Sequence, residues 1–180
     1  MVPNRKDNEK DLIGHKVTVS EPLDFLRSIT YQQREVSLIL EAVVDGKAKP
    51  EVVIDACQFL SVELFLHLHD ESEDVVPMLR ARCKPDDNIE PVIQDLSQEH
   101  SAIKLLSLKV SKTLMSQVAK KPGRKAGKIL REQAKELVEG LRRLSAIENG
   151  IILPIARARF SNTDLEELSL RMAMRRGWAT

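Results

Sequence analysis

Residues 66–82 read LHLHDESEDVVPMLRAR, and their spacing decides the architecture. His67 and Glu71 stand four residues apart, so on a helix they share one face. Leu60, Leu64, Val75 and Met78 fall on the same stripe at intervals of three and four, which predicts an amphipathic helix from about Pro50 to Cys83. Pro77 should kink its last turns. Two members of this apolar stripe, His67 and Glu71, are ionisable.

The same period continues on both sides. Upstream, Ser20-Glu21-Pro22 reads as a helix entry, with Ser20 as N-cap and Pro22 in the first turn. The helix it opens, about Pro22 to Val44, turns Leu23, Leu26, Thr30, Gln33, Ser37, Leu40 and Val44 inward, with Ile29, Val36 and Val43 widening the face. Downstream, Lys84-Pro85-Asp86-Asp87 breaks the chain before a helix of about Asp87 to Ala119, with Ile93, Leu96, His100, Ile103, Ser107, Val110 and Leu114 inward. After the basic turn Lys120 to Lys125, a fourth helix of about Ala126 to Leu153 aligns Leu130, Ala134, Leu137, Leu141, Leu144, Glu148 and Ile152, and Pro154 bends or interrupts it. A short amphipathic piece capped by Asn162 or Thr163, with Leu165, Leu168 and Met172 apolar, runs to about Arg176. Long helices joined by short turns predict an all-α, antiparallel four-helix bundle over residues 21–177, with a polar tail over 1–20 and a short tail over 178–180. No internal repeat is claimed, although Glu71 stands six residues before Pro77 and Glu148 six before Pro154.

Composition narrows the function. With 180 residues, 42% hydrophobic and 31% charged, the chain makes one compact domain. A domain of this size buries roughly 70% of its unfolded surface without needing disulfides or a structural metal. The absence of an uninterrupted apolar run of ~20 residues and the polar start MVPNRKDNEKD point to no membrane and to the cytoplasm. Cys57 and Cys83 lie 26 residues apart, about 39 Å along one helix, and read as free thiols. The net charge of +1 hides an acidic stretch from Glu63 to Glu99 and a basic one from Lys104 to Lys135. The run Lys120 to Lys128 lacks interleaved aromatics and reads as a solvated loop rather than a nucleic-acid site. Phosphate loops, nucleophile elbows and zinc spacings are missing.

The informative residues are His67, Glu71, His100 and Glu148, which interrupt apolar stripes. A buried carboxylate must be protonated, paired, hydrogen-bonded or bound to a cation. Glu148, inside LSAIENGIILP, is the clearest case. Imidazoles and carboxylates projecting inward from several helices are the usual way a bundle holds transition metals. The competing readings are core histidines bonded to Glu71 or Glu148, and, for Glu71, a place in a solvated acidic run from Asp70 to Asp74.

LHLHDESEDVVPMLRAR, followed by LSQEHSAI, then IENGIILPIARARF and a terminal RRG, resembles the hemerythrin-like HHE cation-binding family from PLDFL at residue 22 to Gly177. The resemblance implies a four-helix bundle holding non-haem iron, commonly as a di-iron pair. It implies metal ligands His67 and Glu71 on the second helix, His100 on the third and Glu148 on the fourth. Where the family has two further histidines this chain has Thr30 and Leu144, so each iron would lose one imidazole. The expected function is a reduced or degenerate di-iron site that binds or senses iron, O2, NO or peroxide, as in oxygen sensing and stress response, with no primary catalytic role. The alternative is a metal-free bundle serving as a regulatory or protein-interaction module. Ferroxidase or peroxide chemistry is a third, weaker reading. A protein partner or a homodimer stays open, and the terminal helix with Met172, Met174 and Trp178 either docks a partner or packs on the bundle.

Overall fold

The computed structural model describes residues 21–120 and 126–178. Five helices account for these residues: α1 (Pro22–Val44), α2 (Pro50–Arg82), α3 (Ile89–Lys120), α4 (128–159) and α5 (Asn162–Arg175). The tail over residues 1–20, the Ser20 cap and most of the basic turn fall outside the described residues. Consecutive long helices are neighbours, and α4 returns to pack on α1, so α1 to α4 close an antiparallel four-helix bundle with α5 laid against α1 and α2. The expected all-α architecture is the observed one. By length and composition α2 is apolar enough to cross a membrane, yet Leu60, Leu64, Leu68 and Leu79 are buried inside the bundle.

Most predicted inward positions are buried, including every one of α3 and of α4. The phase slips near the prolines. Met78 was expected inward, but Leu79 is the fully buried residue and Met78 only packs at the edge. The cause is a π-turn over Glu71–Val75, in which the Val76 N–H reaches back five residues to the Glu71 carbonyl. One extra residue in a turn rotates everything after it by about 100°. Glu148–Ile152 forms the matching turn in α4, closed by the Leu153 N–H on the Glu148 carbonyl. A wide turn just ahead gives a proline ring, which lacks an N–H, room against the preceding carbonyls. Pro154 therefore does not end α4, which continues to Arg159. The cap of α5 is Ser161 rather than Asn162 or Thr163: its hydroxyl accepts the Asp164 N–H while the Asp164 carboxylate accepts the Ser161 N–H.

The similar ends of α2 and α4 are used alike. Arg82 donates a two-pronged pair of bonds to Asp164, at 3.0 and 2.8 Å, and Arg159 donates another to Asp87, at 2.7 and 2.6 Å. Asp87 and Asp164 each accept a backbone N–H as well, from Lys84 and Ser161. Glu71, Pro77, Arg82 and Asp87 thus recur 77 residues later as Glu148, Pro154, Arg159 and Asp164, and each arginine bonds the other set's aspartate.

Hydrogen bonds from Arg159 and from the Lys84 backbone hold the Asp87 carboxyl down at about 2. Its stabilising charge is complete above the ordinary carboxylate pKa and is lost as the pH falls toward 2. Thermal midpoints measured from pH 5 to pH 2 should fall more steeply for the natural chain than for Asp87→Asn, which has already lost that contribution at pH 5.

Candidate metal centre

His67, Glu71 and Glu148 are fully buried, and His100 is nearly so. The inward faces of three helices bring them into one layer. α2 contributes His67 and Glu71 one turn apart, α3 contributes His100, and α4 contributes Glu148 at the first position of its π-turn. One ligand atom from each of His67, Glu71 and Glu148 lies within 4.8 Å of the other two, a grouping able to hold a metal ion. His100 stands outside that trio but touches it, with Nε2 2.9 Å from Glu71 Oε2. His67 Nε2 is 2.9 Å from Glu148 Oε1 and 3.8 Å from Glu71 Oε2. Glu71 is therefore no member of a solvated run. The histidine–carboxylate pairs also match the geometry expected of core histidines.

Burial and neighbouring charges shift the titration of this layer. Burial above all, and then the Glu148 charge, pushes the Glu71 carboxyl well above its ordinary value. Burial opposes a charge on His67, but the Glu148 and Glu71 carboxylates outweigh it and raise its pKa. Burial lowers His100 to about 4, so that ring is neutral. Ser72 Oγ lies 3.1 Å from His100 Nδ1, so the two nitrogens of this ring face one partner each, Ser72 on one side and Glu71 on the other. The exposed Ser72 had no signal in the sequence, because its role depends on α3 lying alongside.

The donors fit a cation. Glu71 Oε1, Glu148 Oε2 and His67 Nδ1 are buried with no hydrogen-bond partner. Unpaired carboxylate oxygens in an apolar core are costly, and a cation satisfies them. Mixed imidazole and carboxylate donors suit iron, manganese or zinc. Cys57 is buried but bonds toward the Ser111 carbonyl, and both cysteines are free thiols.

The two substituted positions give no further ligands. Thr30 Oγ1 donates to the Arg27 carbonyl and accepts from Asn149 Nδ2, at 2.8 and 3.0 Å. Leu144 is fully buried and apolar. Tyr31 and His69, one residue along from Thr30 and two along from His67, are both exposed.

The family described as the hemerythrin HHE cation binding domain matches residues 27–156, which carry the whole layer. No curated protein and no solved structure matches the chain.

Because carboxylate and neutral imidazole are the ligating forms and both pKa values are raised, Glu71 and His67 would give up whatever protons they carry to hold a dication here. Binding should release protons, and affinity should rise with pH, by up to about a hundredfold per unit where two are displaced. Calorimetric titration of Fe2+ or Mn2+ in buffers of different ionisation enthalpy counts the protons. A pH-independent affinity would contradict these charge states.

Proposed function

The chain belongs to the hemerythrin HHE cation-binding family, and from that membership we propose a cytoplasmic binding protein in which one non-haem iron, rather than a pair, sits in the bundle core. The observation that supports this reading is the pair of buried, partnerless oxygens Glu71 Oε1 and Glu148 Oε2, inside a trio with His67 able to hold a metal ion. His67, Glu71 and Glu148 are the proposed ligands, with His100 completing the set from α3. Thr30 and Leu144 supply no imidazole, and ligand atoms of His67, Glu71 and Glu148 gather around one position, which favours a single ion.

Bound iron supplies a Lewis-acidic, redox-active centre that ligates O2, NO or peroxide. The rest belongs to the chain. Glu71 and Glu148 would neutralise the ion, Ser72 orients the His100 ring through Nδ1, and Leu144 keeps one side of the layer apolar. The proposed role is binding or sensing rather than turnover. The regulatory, metal-free alternative draws on the two hydrogen-bonded pairs at 2.9 Å, which already satisfy part of the layer.

Two experiments test the proposal. Thr30→His together with Leu144→His should raise iron content from about one toward two per chain and bring out the visible absorption of an oxo-bridged pair. Unchanged iron content in the folded double variant would count against the geometry. Iron at a hundredfold its Kd should stabilise the natural chain by about 2.7 kcal/mol. In Glu148→Leu that gain should largely vanish, while the metal-free variant melts at or above the natural midpoint, because a buried polar group has been replaced by an apolar one. If iron moves neither midpoint, the interaction-module reading takes its place.

A further inference from the structure

We propose that Arg175 and Arg176, at the far end of the chain, are positioning residues of the core layer, acting through Asp70. The inference rests on the cation-binding reading above. The turn of α2 that carries Glu71 exposes neither of its flanking acids: Asp70 and Asp74 are both buried, on the side facing α5. Arg176 NH2 donates to Asp70 Oδ2 at 2.6 Å, and Arg175 reaches Asp70 with one nitrogen and Asp74 Oδ2 with the other, at 2.7 Å. Arg171 adds a bond to Asp74 Oδ1 at 3.2 Å. Three guanidinium groups thus hold two buried carboxylates, one of them adjacent in sequence to Glu71.

Arg176 is itself held in place. Its side chain is 2% exposed, and its guanidinium carbon lies 4.9 Å from the Phe25 ring centre of α1 and 5.7 Å from that of Trp178. The two rings meet edge to face at 5.9 Å. Trp178 arrives there because Gly177 takes a left-handed φ of 70°, which L side chains rarely adopt. The Trp178 N–H then returns to the Ala173 carbonyl at 2.9 Å and the Gly177 N–H to Met174 at 3.1 Å, closing α5 in a Schellman motif. The end of the chain therefore ties α1 and α5 to Asp70.

The position of Glu71 depends on this tie for a backbone reason. Its turn, Glu71–Val75, is a π-turn and lacks the regular four-residue ladder. Its orientation is therefore set by what its side chains grip. Without the arginines, Asp70 and Asp74 are uncompensated in the interior and rotate toward water. That rotation carries Glu71 Oε2 away from His100 Nε2 and from the Glu148 layer. A purely structural α5 would lower global stability and leave the layer's geometry alone.

The test uses the full-length chain, well below its melting temperature, with Arg175→Gln plus Arg176→Gln, and with Arg176→Lys, which keeps the charge but loses the planar fork and the stacking. In metal-free protein the double variant should speed amide exchange over residues 71–76 at least tenfold and shift the ring-proton resonances of His67 and His100, with exchange over 103–114 of α3 unchanged. Titrated with Co2+, it should bind ten- to a hundredfold more weakly, with an altered visible spectrum. Arg176→Lys should move the same readouts in the same direction by a smaller factor, and it decides the matter if the double variant fails to fold. Wild-type histidine resonances and Co2+ affinity in a folded variant would overturn the proposal. If the natural chain takes up no Co2+, the cation-binding reading fails, and the metal-free exchange and resonances still decide the positioning role.

Discussion

Two carboxylates closed off from water within reach of each other are the constraint around which the molecule is arranged. Glu71 and Glu148 face one layer, and neither can keep a bare charge in an apolar interior. Every other polar feature of the layer answers that problem. His67 pairs with Glu148 and His100 with Glu71, each at 2.9 Å, and Ser72 meets the other nitrogen of the His100 ring. The arrangement retains buried carboxylate oxygens with nothing to bond.

The fold was legible because period and packing agree over long stretches. The α3 stripe from Ile93 to Leu114 and the α4 stripe from Leu130 to Ile152 could be read residue by residue. Reading failed where the backbone departs from 3.6 residues per turn. Met78 was placed inward instead of Leu79 because a π-turn inserts a residue without leaving a composition signal, and Pro154 looked like a terminus because the widened turn ahead of it was invisible. The Ser161 cap was missed by one residue.

Of the site, the side chains facing the layer were legible as polar breaks in apolar stripes, whereas the groups behind them were not. Asp70 and Asp74 share a helix turn with Glu71, and sequence alone reads the three as one acidic run. Their separation into one carboxylate facing the core and two facing α5 depends on where a later helix lies. Terminal arginines carry no such address. The same limit applies to Ser72, whose partner is on the neighbouring helix. The paired ends of α2 and α4 show the other side of this: Glu71 and Glu148 match in sequence and in backbone, but His67 matches Leu144, so a nearly two-fold scaffold holds a one-sided donor set.

The chain contains a single tryptophan, and it is the residue folded back by Gly177 against Phe25 and Arg176. Indole emission from this protein consequently reports on one place, the junction of the chain's end with the start of α1. The long helices that make up the bundle are optically silent at that wavelength. Detachment of the terminal segment would register as a change in emission while the helical circular dichroism stayed constant. The two signals therefore separate loosening of the terminus from loss of the fold without any label.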